Sequence, residues 1–318
     1  MVIHNLKILS EKELSNLEQL FKLKDKTLHK LMKKYLSSKY KKVISTEDYI
    51  IAVGDIPVAL VAHLDTVFPS TPKNIFYDRI KSVLWSPEGL GADDRAGVYS
   101  IIQIIKSGLL PTIILTMDEE KGCLGAEQLV LDHPKPITNL KYIIELDRRG
   151  NEDCVFYNCY NPEFEKYIQS FGFTINYGTF SDISVICPKW KIAGVNLSIG
   201  YHNEHSYIEL LNINQMFNTV TKVQNMLQNI NKVQKFDFIY DNFYSNWYAL
   251  YEKCCCCGSY DADYPVKLEN NQTGYLCLNC IGKIQNLEWC SNCGEAYFET
   301  RENPKNILCQ DCREKNNE

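Results

Sequence analysis

Short apolar runs alternate with amphipathic stretches through the first 230 residues of this 318-residue chain. Five of the runs have the length and composition of buried strands: YIIAV (49–53), PVALVAH (57–63), TIILTM (112–117), YIIEL (142–146) and GVNLSI (194–199). Because these runs lack polar alternation and are separated by helical patterns, they are typical of a mostly parallel sheet covered on both faces. The sequence therefore predicts a three-layer α/β/α domain over residues 1–232.

Helical spacing of apolar residues predicts helices within residues 1–40 and between the strands. The predicted helices between the strands span 95–106, 125–132, 162–171 and 208–230. A composition of 45% hydrophobic and 23% charged residues is that of an ordinary globular protein. The sequence has neither an apolar run of 18 residues nor an apolar stretch near its first residue, so we expect a cytoplasmic protein without a membrane span or secretory signal.

Acidic and imidazole side chains follow the strand-like runs, and also the segment 83–85, where each ends. They are His63, Asp65, Asp93, Asp94, Glu119, Glu120, Asp147, His202 and His205. Ligands of open α/β sheets bind beyond the carboxyl ends of the strands, so we expect these side chains to converge on one rim. Each residue taken singly is explained better by a helix cap, a charged surface or a core histidine than by a metal site. Together they would repel one another without a cation, and this donor mixture suits Zn²⁺, with Co²⁺ or Mn²⁺ as alternatives.

Five motifs occur in a characteristic order: HLDT (63–66), GADDRAG (91–97), DEEKGCLGA (118–126), ELDRRG (145–150) and NEHSYIE (203–209). As an ordered set they resemble those of the co-catalytic di-zinc exopeptidases, a family of aminopeptidases, tripeptidases, carboxypeptidases and aminoacylases. The resemblance covers about residues 45–230. It implies a zinc-exopeptidase-like α/β fold, two catalytic divalent metal ions, and hydrolysis of a peptide or small amide substrate.

The resemblance also implies which residues hold the two metal ions. Asp93 would bridge them with its two carboxylate oxygens. His63 and Asp147 would complete one site, and Glu120 and His205 would complete the other.

Further roles follow from the same resemblance. Asp65 would orient His63 by a hydrogen bond to its free ring nitrogen. Glu119 would be the general base that accepts a proton from the water activated by two metals. The Asp93–Asp94 peptide bond is usually cis in this family. His202 competes with His205 as a ligand, and the motif favours His205.

Substrate-pocket candidates are harder to choose, because surface or turn positions explain them equally well. They are Arg148, Arg149, Ser181, Asp182 and Tyr201. The carboxypeptidase and aminoacylase branch of the family usually inserts a dimerisation domain, for which the segment between Asp147 and His205 is too short. The sequence therefore favours an aminopeptidase, with an N-acyl amino acid deacylase or amidase, or a non-catalytic scaffold protein, as alternatives.

Ten of the 14 cysteines lie between residues 254 and 312. They include four C-x-x-C pairs: Cys254/Cys257, Cys277/Cys280, Cys290/Cys293 and Cys309/Cys312. Their spacing predicts two zinc ribbons in series over 254–318, each closed by one structural zinc ion. The run of four cysteines at 254–257 leaves the register of the first pair open, and a cross-braced pairing is an alternative. We expect residues 233–253, which are rich in aromatic side chains, to form a connector between the two regions.

The cysteine-rich region holds six basic and ten acidic residues, and the whole chain has a formal net charge of −5. This balance opposes binding to the phosphates of nucleic acid or to an anionic membrane. Contact with a protein partner, or self-association through the zinc ribbons, fits the charge better. A purely stabilising appendage fits it equally well.

Overall fold

A computed structural model of the protein describes residues 9–240, four short strands beyond them, and residue 280. The chain divides into two compact units, residues 1–240 and 241–318. Within the described segments, no helix has the length and apolar character needed to cross a bilayer.

Twelve strands lie within residues 9–240. They are β1 (Lys42–Ser45), β2 (Tyr49–Val53), β3 (Ile56–His63), β4 (Phe76–Asp78), β5 (Val83–Trp85), β6 (Pro111–Thr116), β7 (Tyr142–Arg148), β8 (Asp153–Val155), β9 (Thr174–Ile175), β10 (Gly194–Ser198), β11 (Tyr201–His202) and β12 (Leu210–Asn212). The larger sheet has the order β1-β2-β6-β3-β7-β10-β8-β9 and the smaller one β11-β12-β5-β4. At the centre of the larger sheet, β6, β3, β7 and β10 are parallel neighbours. This confirms the predicted mostly parallel sheet.

Seven α-helices accompany these strands in the same part of the chain. They are α1 (Glu11–Phe21), α2 (Asp25–Ser37), α3 (Ala92–Lys106), α4 (Leu124–Asp132), α5 (Pro162–Gln169), α6 (Asp182–Trp190) and α7 (Ile213–Gln228). Short 3₁₀ turns span Glu119–Lys121 and Ile230–Lys232.

Alternate residues of the central strands point into two separate hydrophobic cores. Leu60 of β3 belongs to the core formed with α1, α2, α3, α5 and α7, whereas its neighbour Val61 belongs to the core formed with α4 and α6. Because successive side chains of a strand point to opposite faces, the sheet lies between two helical layers. The predicted α/β/α architecture is therefore present.

Polar caps set where several helices begin. Ser10 and Glu13 form a reciprocal capping box at α1. The side chain of Asn212 accepts hydrogen bonds from the backbone N–H groups of Asn214 and Gln215 at the start of α7. The predicted helix 208–230 therefore begins later than expected, because the residues before this cap pair with β5 as strand β12.

The smaller sheet changes one further expectation. Segment 83–85 is a strand, but as β5 it pairs with β4 and β12 and lies outside the larger sheet. We expected every candidate site residue to follow a strand of one sheet. This is wrong for Asp93, because the strand that precedes it, β5, belongs to the smaller sheet. That residue reaches the rim from the start of α3.

The first part of the predicted aromatic connector packs on the α/β unit. Phe236 is buried in its core, and isolated backbone bridges join Asp237 to Ile192 and Tyr240 to Cys159. Residues 241–253 lie outside the described part of the chain.

The second unit contains a small sheet. Its strands are β13 (Tyr264–Lys267), β14 (Thr273–Leu276), β15 (Leu287–Trp289) and β16 (Ala296–Phe298), in the order β14-β13-β16-β15. Cys280 is buried. The other predicted zinc ligands, Cys254, Cys257, Cys277, Cys290, Cys293, Cys309 and Cys312, lie outside the described residues. The double zinc ribbon therefore remains a prediction.

Candidate active site

Two neighbouring parallel strands bring the first pair of site residues together. His63 is the last residue of β3, and Asp147 lies at the end of β7, its partner in the sheet. The Nε2 atom of His63 lies 3.4 Å from Oδ1 of Asp147. His63 is buried, so its neighbours fix the position of the ring.

The carboxylate of Asp93 lies between two imidazole rings. Its Oδ1 atom is 3.0 Å from Nε2 of His63, and its Oδ2 atom is 3.2 Å from Nε2 of His205. The Asp93–Asp94 peptide bond is cis, as the family resemblance implies. Each oxygen of this one carboxylate thus faces a different histidine.

Close packing of α3 against β7 places Asp93 at this position. At Gly97, a Cβ atom would lie 2.1 Å from the carbonyl oxygen of Leu146, so only glycine allows the two backbones to approach. The carboxylate of Glu209 accepts hydrogen bonds from the backbone N–H groups of Gly91, Ala92 and Asp93. These bonds hold the start of the helix.

Glu120 and His205 form the other side of the site. Glu120 lies in the 3₁₀ turn after β6, and its Oε2 atom is 3.1 Å from Nε2 of His205. His205 lies in the loop between β11 and β12, and its side chain is 51% exposed. Among the described residues, the buried Oε1 atom of Glu120 has no hydrogen-bond partner.

His202 points to a different partner. Its Nε2 atom lies 2.6 Å from Oε1 of Gln215 on α7. The structure therefore brings His205, rather than His202, to the carboxylates of Asp93 and Glu120.

Asp65 connects the two sides of the site. Its Oδ1 atom lies 3.4 Å from Nδ1 of His63, and its two oxygens accept hydrogen bonds from the backbone N–H groups of Glu119 and Glu120, both at 3.2 Å. Burial opposes the charge on Asp65, but the bonds from His63 and the backbone lower its pKa to about 2. Asp65 therefore stays ionised, and it orients the ring of His63 and the turn that carries Glu119 and Glu120.

Glu119 is a buried acid with an unusually high proton affinity. Burial, followed by the nearby carboxylates of Asp147 and Asp182, raises its pKa to about 9 despite the opposing effect of His63. A carboxyl group with a strongly raised pKa, next to a cluster of candidate ligands, is typical of a functional acid or base.

A hydrogen-bond network that the sequence analysis missed holds Asp147. Ser181 Oγ donates to Asp147 Oδ2 at 2.9 Å, and the hydroxyl of Tyr201 donates to Asp147 Oδ1 at 3.2 Å. The amide of Asn196 bonds both backbone groups of Asp147, each at 2.9 Å. The sequence signal for this network is Asn196, an amide within the apolar run GVNLSI, because a buried polar side chain needs hydrogen-bond partners.

The remaining pocket candidates lie near the same site. Asp182 is fully buried and accepts a hydrogen bond from the hydroxyl of Thr116. Arg149 forms an ion pair of 2.7 Å with Glu204, and Arg148 lies 3.8 Å from Asp153. Through these contacts, the three side chains stabilise the loops around the site.

The donor set fits two cations that share one carboxylate. Ligand atoms of His63, Asp93 and Asp147 lie within 4.8 Å of one another, and so do those of Asp93, Glu120 and His205. A third set consists of His63, Glu119 and Glu120, and it shares one residue with each of the other two sets. Imidazole nitrogens and carboxylate oxygens at such distances are the ligands that Zn²⁺ and related ions take. The unpartnered oxygen of Glu120 agrees with this fit.

The sequence matches one protein-family model. Residues 45–179 match the family model described as Peptidase family M28. No curated protein matches the chain.

Solved structures share the fold of the first unit. A tripeptidase of Staphylococcus aureus has a TM-score of 0.57 at 13% identity, and the aminopeptidase PepT of Bacillus cereus has 0.55 at 15% identity; each match covers 71% of this chain and 100% of the other. A TET aminopeptidase from a marine-sediment thaumarchaeon has a TM-score of 0.53 at 12% identity, covering 69% and 97%. The chain thus has the α/β fold of these solved structures, and residues 45–179 are similar to Peptidase family M28.

Proposed function

We propose that this protein is a metal-dependent aminopeptidase in which Glu119 is the general base. The observation that carries the proposal is the position of Asp93, whose two oxygens face His63 and His205 separately. The buried acid Glu119 lies beside this arrangement, on the turn that also carries Glu120.

The proposed ligands form two sets. His63 and Asp147 would hold one cation, Glu120 and His205 would hold the other, and Asp93 would belong to both sets. When bound, two divalent cations polarise a peptide carbonyl, lower the pKa of water and stabilise the developing oxyanion.

Glu119 moves the proton in this proposal. Its carboxylate accepts a proton from the attacking water and then delivers it to the amine that leaves. Burial raises the pKa of Glu119 to about 9, whereas nearby positive charge favours the ionised form. Two cations beside the acid would therefore lower its pKa and favour the ionised form, which accepts a proton.

Asp65 acts through its neighbours. It holds the ring of His63 through Nδ1 and the turn of Glu119 and Glu120 through two backbone N–H groups. One carboxylate thus aligns a ligand of the first cation, a ligand of the second, and the base.

The short chain segment between Asp147 and His205 favours an aminopeptidase over a deacylase. Between these residues the structure has strands β8–β11 and helices α5 and α6, all within the first unit. Three solved structures that share this fold are described as two aminopeptidases and a tripeptidase.

A substrate panel tests the choice. Amino-acid anilides with a free amine should be hydrolysed, and N-acyl amino acids should not. The opposite preference would replace the aminopeptidase by a deacylase, and the absence of all hydrolysis in metal-loaded protein would support a scaffold without catalysis.

The role of the cysteine-rich region is proposed from spacing and charge alone. We propose that its four C-x-x-C pairs hold two structural zinc ions, and that it contacts a protein partner or another copy of the chain. With two ions in the active site, this gives four metal ions per chain. We also propose that the protein acts in the cytoplasm.

A further inference from the structure

A buried thiol lies against the proposed base. Cys123 Sγ is 3.7 Å from Glu119 Oε1, and the two residues are only 2% and 6% exposed. Within the part of the chain that the structure describes, no other side chain donates a hydrogen bond to this carboxylate. This hydrogen bond therefore restricts the orientation of the Glu119 carboxylate.

The backbone holds the thiol in this place. Cys123 has a left-handed conformation, with φ of 59°, directly before α4. Its N–H donates to the carbonyl of Glu119 at 2.8 Å, and its own carbonyl accepts from the N–H of Glu127 at 3.0 Å. A side chain with a Cβ atom is uncommon at such a φ, so the thiol occupies a backbone position that these bonds maintain.

The thiol remains a donor under ordinary conditions. Burial raises the pKa of Cys123 far above its usual value, and the carboxylates of Asp182, Glu119 and Glu145 raise it further. The sulfur therefore keeps its proton. An S–H group is a weak hydrogen-bond donor, and Cys123 Sγ lies within hydrogen-bond distance of Glu119 Oε1.

We propose that Cys123 is a positioning residue, whose S–H group holds Oε1 of Glu119 and so leaves Oε2 as the proton-accepting atom. This inference rests on the proposed function, because it assumes that Glu119 is the base. It concerns the orientation of the carboxylate and not the binding of substrate. The expected signature is therefore a change in kcat at constant KM.

Kinetics of two substitutions test this role. In Cys123→Ala, kcat should fall about two- to fivefold with KM unchanged, as expected for loss of one weak hydrogen bond. Cys123→Ser keeps a donor and should retain most of the wild-type kcat. Cys154→Ala is the matched control, since Cys154 is a buried thiol in β8, and it should leave kcat unchanged. Wild-type kcat in Cys123→Ala, or an equal loss in Cys123→Ser, would overturn the proposal.

Infrared spectroscopy gives a readout that needs no turnover. The S–H stretching band of Cys123 is obtained as the difference between the wild-type protein and Cys123→Ser. Removal of the acceptor by Glu119→Ala should move this band to higher wavenumber, because a free S–H bond is stiffer than a hydrogen-bonded one. A band at the same position in both backgrounds would show that the thiol does not bond Glu119.

The two measurements separate the two proposals. Wild-type protein that hydrolyses no substrate in the panel overturns the aminopeptidase, and with it the catalytic part of this inference. Wild-type protein that is active, together with an unshifted band or an unaffected Cys123→Ala variant, overturns only the role of Cys123.

Discussion

Asp65 accepts a hydrogen bond of 3.2 Å from the backbone N–H of Glu119, a residue on a different loop of the site. The same carboxylate lies 3.4 Å from Nδ1 of His63. Because Asp65 is almost fully buried, these contacts couple the orientation of a proposed metal ligand to that of the proposed base.

Asp65→Asn should weaken metal binding. An amide loses the negative charge that faces His63, and one of its two polar atoms is a donor that repels a backbone N–H group. Loss of such a support of a ligand typically lowers metal affinity by about 10- to 100-fold. Competition against a chelator of known affinity measures the change, and an affinity equal to that of the wild type would argue against the role of Asp65.

Glu119→Ala should abolish turnover while both metal ions stay bound. Removal of a general base typically costs about 10²- to 10⁴-fold in rate, and Glu119 is not among the proposed ligands. The measurements are kcat and metal content by elemental analysis. The matched control is Glu127→Ala, which removes an exposed acid from α4 and should leave both unchanged. A Glu119→Ala enzyme with normal turnover would refute the assignment of the base.

Metal binding should release protons and strengthen as the pH rises. Hydrogen bonds to Asp93 and Glu120 raise the pKa of His205 to about 11 in the absence of a cation. The imidazole must be neutral to bind a metal ion, so the ion displaces a proton at any pH below this value. Calorimetry in buffers of different ionisation enthalpy counts these protons. Proton uptake, or an affinity that does not depend on pH, would contradict this expectation.

Arg95→Met should destabilise the first unit. The buried guanidinium donates to the carbonyl of Leu64, to that of Leu23 at 3.1 Å, and to Asp25 at 2.7 Å. Loss of these charge-assisted bonds leaves buried carbonyl groups unpaired and should cost about 2–3 kcal/mol in the free energy of unfolding.

A second ion pair supplies the control for Arg95. Arg79 and Glu11 form an ion pair of 3.0 Å whose side chains are largely exposed. Arg79→Met should therefore change stability by less than about 1 kcal/mol. Equal unfolding midpoints for the two variants in urea would show that Arg95 does not tie the loop after His63 to α1 and α2.

The sequence predicts the central sheet well because its signal is local. Runs such as 57–63 and 142–146 are apolar without alternation, and parallel strands buried on both faces have this pattern. Given parallel strands, the residues after their carboxyl ends must lie at one edge. This reasoning places His63, Glu120 and Asp147 together before any coordinates are known.

Other parts of the site depend on contacts between distant segments. Asp93 follows a strand of the smaller sheet, and His205 lies between two strands of that sheet. The strand-end pattern makes both residues candidates, but nothing local in the sequence indicates that this second sheet exists. The family resemblance is what selects Asp93 and His205 as ligands over Asp94 and His202. The contact between Cys123 and Glu119 was also missed, because it depends on a left-handed backbone conformation at a residue other than glycine.

The metal content of the 318-residue chain tests the shared carboxylate most directly. Wild-type protein should hold four ions per chain, two at the active site and two in the cysteine-rich region. Asp93→Ala should lose at least one, because His63 and His205 then face no common carboxylate. Asp118→Ala, which removes an acid that pairs with Lys121 near the site, should keep all four. An Asp93→Ala protein with the same metal content as the wild type would contradict the two-cation site.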